Sequence, residues 1–346
     1  MRASEPWLSV VLVTPERLTS LHRTLRHLQV QAIASRIELI IVAPDSRAVT
    51  ADDESYLAGF GRVAVVPVGS INNVDVAAAG GVLRATAPVV ALIEDHAFPQ
   101  AGWAEAIVRA HAGPWAAVGA TMVNANPRSM LSWTNLLLAY GWWTEPVSGG
   151  EVAALPGHNI AYKTALLQRY GDRLREKLGR AGGLLDDLKA QGGRLYLAAD
   201  ARIAHVNPSR LRSTVTLRFN AGRLYAATRA CGWSASRRWL YVLGGPLIPF
   251  VRFRRLWREF FGQGRRSQLI PHVVPALLLG LILDALGQMA GYARGVGRSI
   301  DVLATFEMDR WQHLTARDHR ALAREASTQP EERYTHAWKH DSHASG

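Results

Sequence analysis

The sequence predicts an α/β protein: one mostly parallel sheet with flanking helices, followed by apolar, basic helices. Three observations carry this reading. Short runs of uncharged aliphatic residues end in turn signals, segments with helical spacing lie between them, and the excess positive charge is confined to the middle segment, residues 151–300. Strands without polar alternation are buried on both faces, as in a parallel sheet covered by helices. Strands alternating with helices imply right-handed crossovers within one sheet.

Leu8 to Thr14 is the first strand, and Leu18, Leu21, Leu25 and Leu28 then recur at helical spacing. Ile37 to Val42 is the second, closed by the turn Ala43-Pro44-Asp45-Ser46. Val63 to Val68 is the third, leading past Asn72-Asn73 into a helix of small residues from Val76 to Ala85. The fourth, Val89 to Ile93, stops abruptly at Glu94-Asp95-His96. Open sheets of this kind bind ligands beyond the carboxyl ends of their strands, which sets these three groups at the mouth of a crevice. Carboxylate with imidazole suits a divalent cation such as Mn2+ or Mg2+, and a cation there would neutralise a diphosphate. The alternative is a strand end capped by solvated acids.

The order of these segments resembles the opening of a family 2 glycosyltransferase with the GT-A fold. In that family the segment matched by Val90 to His96 ends in an Asp-x-Asp motif that contacts the nucleotide-sugar and its metal; Glu94 and His96 occupy its outer positions here. Glu94-Asp95-His96 followed by Phe98-Pro99 and Gly102-Trp103 is similar to one bacterial, membrane-associated subset. Leu155 to Lys163, with Gly157-His158-Asn159, resembles the family's Gly-x-Asn segment. Gly192 to Leu197 and Ala201 to His205 resemble its last strands, where a His is a frequent metal or phosphate neighbour. The likeness spans roughly residues 7 to 207.

The resemblance implies roles. Thr14, Asp45, Glu94 and Asp95 would contact the nucleotide-sugar; Asp95, His96 and His205 would hold the metal; His158, Asn159, Trp142 and Trp143 would line the acceptor side. Departures accompany it. The acid usual after the second strand falls near Ala43, leaving Asp45 as a displaced substitute, and the family's Arg-Asn pair is replaced by Ala78 and Ala79. The general-base position falls close to Ala181, so Asp186 and Asp187 are the nearest carboxylates. Sugar transfer needs the leaving diphosphate neutralised and a carboxylate to accept the acceptor hydroxyl's proton. A neutral His ligand favours the softer Mn2+ over Mg2+. His205 also reads as a buried core histidine, and Asp186-Asp187 as a solvated helix face.

At 346 residues the chain is long enough for one large domain with an appendage. A single cysteine, Cys231, excludes an internal disulfide and a cysteine-based zinc site. The first apolar run, Trp7 to Val13, is too short for a signal peptide and reads as a strand.

Residues 1–150 hold 10 basic and 12 acidic side chains, residues 151–300 hold 24 and 8, and residues 301–346 hold 6 and 8. The middle excess includes Arg252, Arg254, Arg255, Arg258, Arg265 and Arg266, which lie between the apolar runs Trp239 to Val251 and Leu269 to Tyr292. Basic residues beside apolar helices, with Trp239, Tyr241, Trp257 and Tyr292 as amphipathic anchors, predict attachment to an anionic cytoplasmic membrane face. Pro246, Pro249, Pro275 and Asp284 interrupt the runs, which favours interfacial or re-entrant helices over full spans; burial against the catalytic domain is the soluble alternative. The arginines flank apolar stretches and no nucleic-acid-binding pattern is present, so nucleic acid is not the expected partner.

Trp133, Trp142, Trp143 and Tyr140 suit either an acceptor surface or core packing. Ile300 to Ala326 reads as one amphipathic helix, and Ser327 to Gly346 as a polar tail whose His336, His340 and His343 reflect composition. The expected organisation is a catalytic domain over 1–230, membrane-associated helices over 231–300, and a helix with tail over 301–346. The implied activity is metal-dependent transfer from a nucleoside-diphosphate sugar to a lipid-linked or polysaccharide acceptor at the cytoplasmic face of an inner membrane. The alternative is a non-catalytic, membrane-docked scaffold.

Overall fold

A computed structural model describes residues 5–180, 183–258 and 270–327, without the side chains of 270–272 and 326–327. Ala181, Arg265, Arg266 and the three tail histidines lie outside the described residues. The strands are β1 (Leu8–Val13), β2 (Ile37–Ala43), β3 (Arg62–Pro67), β4 (Val89–Ile93), β5 (Ala97–Pro99), β6 (Trp115–Asn124), β7 (Gly150–Val152), β8 (Ile160–Lys163) and β9 (Arg194–His205). The first eight helices are α1 (His22–Gln29), α2 (Glu54–Leu57), α3 (Val74–Val82), α4 (Trp103–His111), α5 (Met130–Tyr140), α6 (Thr164–Gln168), α7 (Arg173–Gly179) and α8 (Gly183–Ala190). Then follow α9 (Leu211–Arg229), α10 (Ala235–Leu243), α11 (Ile248–Leu256), α12 (Ile270–Arg294), α13 (Ser299–Met308) and α14 (Ala316–Ser327).

The chain forms two compact units. The first comprises the chain through Val123, Glu145–His205 and the chain from Leu322. Its sheet runs in the order β3-β2-β1-β4-β8-β6-β9-β5, with β7 beside β9. The fold is α/β with a central sheet and flanking helices, as the uncharged runs predict. The pairs along β3-β2-β1-β4 are parallel. Beyond β4 the registered pairs are antiparallel: β4 with β8, β8 with β6, and β9 with both β5 and β7.

β2 is buried throughout because helices cover the sheet. α3 explains the small-residue run: a Cβ on Gly81 would overlap Val11 and Val42, so only a side-chain-free residue lets the helix settle on β1 and β2. Ala78 and Ala79 are buried in the same packing. Inside β2, Glu38 is buried yet satisfied, accepting from Ser9 Oγ at 2.5 Å, Thr86 N at 2.7 Å and Thr86 Oγ1 at 2.8 Å. The two strands expected over Gly192–His205 are one continuous 12-residue strand, β9.

The second unit comprises Asn124–Thr144 and Val206–Ala321. Thus α9, read from sequence as part of the catalytic domain, belongs with the helices after residue 230, and α5 joins them from the middle of the chain. α9 and α12 run in close approach, because a Cβ on Gly222, Gly287 or Gly291 would overlap the carbonyl oxygens of Asp284, Phe219 and Arg223 respectively. Leu137, Leu256, Val273, Leu277 and Leu281 form a core between α5, α11 and α12. Residues Val273–Arg294 are long and apolar enough to cross a membrane, and half of that stretch is buried. The single amphipathic helix expected over 300–326 is instead two, α13 and α14, separated by a turn at Trp311–His313.

Candidate metal centre

β4 delivers Glu94, Asp95 and His96 at its carboxyl end, directly before β5. β5 then pairs antiparallel with the end of β9, placing Ala97 opposite His205. That register brings two histidines distant in sequence to one point: the His96 and His205 rings meet edge-on with centroids 5.0 Å apart. Glu94 lies between them. Its Oε2 is 3.3 Å from His205 Nε2 and 3.7 Å from His96 Nε2. All three side chains are at least nine-tenths buried.

The ligand atoms of Glu94, His96 and His205 lie within 4.8 Å of one another. Ligands on metal bonds of about 2.1 Å at tetrahedral angles sit about 3.4 Å apart, close to the 3.3 and 3.7 Å between Glu94 Oε2 and the two imidazoles. One carboxylate with two imidazoles is a donor set for a divalent transition metal, and it suits Mn2+ better than Mg2+, which prefers oxygen and retained water. Asp95, predicted as a ligand, takes another position: its Oδ1 is 2.7 Å from His96 Nδ1. A carboxylate on the far ring nitrogen fixes the tautomer and turns Nε2 toward an ion. Glu94, predicted as a nucleotide contact, is thus the carboxylate of the triad.

Asn159 and His158 approach Glu94 from the loop before β8. Asn159 adopts the left-handed conformation, φ 57°, which asparagine tolerates better than most residues. Its side chain bonds both the backbone and the carboxylate of Glu94. His158 Nδ1 is 3.5 Å from Glu94 Oε1 and 3.4 Å from Asp75 Oδ1. Burial by itself raises the Glu94 carboxyl, but the charges of His158 and His96 and the hydrogen bond with His205 outweigh it and hold the group well below the usual carboxylate range. Both loop residues, predicted on the acceptor side, therefore approach the carboxylate of the triad.

Asp75, in the first turn of α3, was not singled out by sequence reasoning. It lies two residues after Asn73, whose side chain accepts from Val76 N and caps the helix. An acid in the first turn of a capped helix is ordinary, so only the fold exposes its contact with His158.

The remaining predicted residues are engaged elsewhere. Asp187 accepts from Tyr170 Oη at 2.5 Å, Lys177 Nζ at 2.7 Å and Gln191 Nε2 at 2.7 Å. The Lys177 and Tyr170 hydrogen bonds hold its carboxyl below the usual range. Asp186 is exposed on the same helix. Neither is hydrogen-bonded or ion-paired to Glu94, His96 or His205 among the described residues. Asp45 caps a short turn and grips Arg47 at 2.7 Å on the surface. Thr14 is buried and donates to the Arg17 carbonyl at 2.7 Å. Trp142 and Trp143 lie in the helical unit, Trp142 being 59% exposed.

No protein-family model matches the chain, and no curated protein is similar to it at a significant level. Among solved structures, the crystal structure of GalNAc-T7 with UDP, GalNAc and Mn2+ is similar over 59% of this chain and 44% of that one, at 13% identity and a TM-score of 0.41. The crystal structure of S. aureus TarS 1-349 is similar over 88% of this chain and 91% of that one, at 16% identity and a TM-score of 0.44. Both neighbours are glycosyltransferases. The chain spans less than half the length of the GalNAc-T7 chain.

Proposed function

We propose that this chain is a metal-dependent glycosyltransferase of the GT-A, family 2 type, moving a sugar from a nucleoside diphosphate to a lipid-linked or polysaccharide acceptor at the cytoplasmic face of a bacterial inner membrane. The observation that carries the reading is the buried Glu94, His96 and His205 triad at the carboxyl end of β4, next to β1 in the parallel half of the sheet. Ligand crevices of open α/β sheets lie at such ends. The bound cation would supply positive charge to a leaving diphosphate.

The chain's own residues do the rest. Asp95 holds the His96 ring, and Asn159 holds the Glu94 carboxylate. For proton acceptance, Asp187 is a poor candidate because three donors already occupy its oxygens, and Asp186 shares its helix. Asp75 is the carboxylate that reaches the cluster through His158, and we assign it the role of proton acceptor. Side chains that present an open carboxylate to the reacting hydroxyl serve this role best.

Membrane attachment is supported by the helical unit. Trp239, Leu243, Leu247, Phe250, Ile282 and Leu286 are all exposed on α10 to α12, a concentration unusual for a soluble surface. Arg254, Arg255 and Arg258 are exposed beside them. Arg252 is not part of that rim, because it is ion-paired with the buried Asp284.

The scaffold reading keeps one observation in its favour, the buried Ala78 and Ala79 where the family carries polar residues. Calorimetry against a panel of nucleotide-sugars with and without Mn2+, followed by transfer or hydrolysis assays, separates the two. Mn2+-dependent binding with turnover supports the enzyme; binding without turnover supports the scaffold.

A further inference from the structure

Arg218, on α9, is 5% exposed. Its stem runs past Gly280 of α12, and its Nε has no hydrogen-bond partner. Among the described residues its guanidinium makes no ion pair. The charges that act on it most, Arg252 and Arg310, have the same sign; burial first, and then these two arginines, push its guanidinium down to about 9, still ionised at neutral pH. The acids that pair with those two arginines are engaged there. Asp284 pairs with Arg252 and accepts from Gln288 at 3.0 Å, while Glu307 pairs with Arg310 at 2.6 Å.

A buried charge with no counter-ion is costly and is ordinarily neutralised or paired. Arginine cannot readily lose its proton, and no acid among the described residues pairs with it, which leaves its fork open to an anionic ligand. The planar guanidinium fork matches phosphate oxygens, two of which it can hold at once. We propose that the helical unit binds a phosphate or diphosphate group at Arg218. This site is separate from the metal centre and does not depend on the transfer reaction. The phosphate has two sources with the same chemistry, a lipid headgroup or a soluble diphosphate.

Thermal melting of the full chain, with a chelator present and no nucleotide, tests this. The probes are inorganic pyrophosphate, phosphatidylcholine vesicles with and without phosphatidic acid, and sodium chloride at matched ionic strength. The wild type is expected to melt higher, in a saturable manner, with pyrophosphate or with phosphatidic acid vesicles, and not with sodium chloride. Arg218→Met keeps the stem against Gly280; it should melt higher than wild type in plain buffer and lose the response. Should that variant fail to fold, Arg218→Lys, which keeps the charge and loses the fork, should bind pyrophosphate or phosphatidic acid vesicles at least tenfold more weakly by titration. A response to vesicles alone makes the ligand a lipid headgroup, and a response to pyrophosphate alone makes it a soluble group. A wild type indifferent to both probes, or an Arg218 variant with an undiminished response, overturns the proposal.

Discussion

Asn159 grips Glu94 at two points: its Nδ2 donates to Glu94 Oε2 at 2.5 Å and its Oδ1 accepts from Glu94 N at 3.2 Å. The carboxylate is therefore fixed in orientation before any ion arrives. Asn159→Ala removes both bonds and places a Cβ-bearing residue less suited to φ 57° at the turn. Metal affinity should fall about 10–100-fold, as for other losses of an outer partner, and stability by about 1–2 kcal/mol. Asn159→Gly should recover the stability and not the affinity. Mn2+ calorimetry and melting curves on the pair check this.

The triad makes an ordered prediction about ligands. Glu94→Gln, His96→Ala and His205→Ala should each abolish measurable Mn2+ binding. Asp95→Asn should instead weaken it about 10–100-fold, because Asp95 orients a ligand. Equal losses for all four variants by calorimetry or Mn2+ electron paramagnetic resonance would place Asp95 on the ion itself.

The proposed proton acceptance at Asp75 would have a kinetic signature. Asp75→Asn should lower kcat by about 100-fold or more with little change in donor binding. Asp187→Asn should lose melting temperature through its Tyr170, Lys177 and Gln191 bonds and leave kcat near wild type. Steady-state kinetics with donor titrations distinguish these outcomes.

His111, the last residue of α4, carries a pH prediction. Burial chiefly, with Lys163 adding to it, pushes its imidazole down to about 4, against a partial opposing effect from the nearby Ala161 backbone. The unfolded chain takes up this proton near pH 6.5 while the folded chain resists it, so more protons are bound in the unfolded state across that interval. Stability is present in full above pH 6.5 and declines as the pH falls toward 4, by about 3 kcal/mol in all. Denaturant titrations across this range should show the decline, and His111→Gln should flatten it.

The exposed helices predict graded membrane binding. The wild type should sediment with anionic vesicles, loosen in high salt and release fully only in detergent. Leu243→Glu with Phe250→Glu, at positions 76% and 74% exposed, should abolish sedimentation without loss of fold. Undiminished sedimentation of this double variant would move the contact to another surface.

The parallel half of the sheet was legible because β1, β2 and β4 are apolar runs that only two-sided burial explains. β3 was legible by the same composition, although it is the edge of the sheet and partly exposed. The Glu94 to His96 cluster was legible because a charged triplet at the end of such a strand has few structural uses. The division of labour inside it was not. Whether Glu94 or Asp95 faces an ion depends on side-chain direction beyond the strand's end, where the alternation of a regular strand no longer applies. Asp187 illustrates the converse limit, since its three partners come from Tyr170, Lys177 and Gln191, a cluster with no periodicity to reveal it. The transfer of α5 and α9 to the helical unit was equally hidden. It rests on glycines that let α9 meet α12, and a sequence records their smallness without naming the neighbour.

That glycine seam also limits how the helical unit could meet a bilayer. α12 has spent one side on α9 and α5, and backbones this close leave no room for lipid tails to separate them. The helix cannot detach and thread through the membrane as a lone rod without exposing the Asp284 and Arg252 pair. It would enter, if at all, as the outer plank of a raft, wetted by lipid along Leu279, Ile282 and Leu286 and dry toward protein on the other side. Against a bilayer, such a raft would lie at the depth of the headgroups and would pull back out intact.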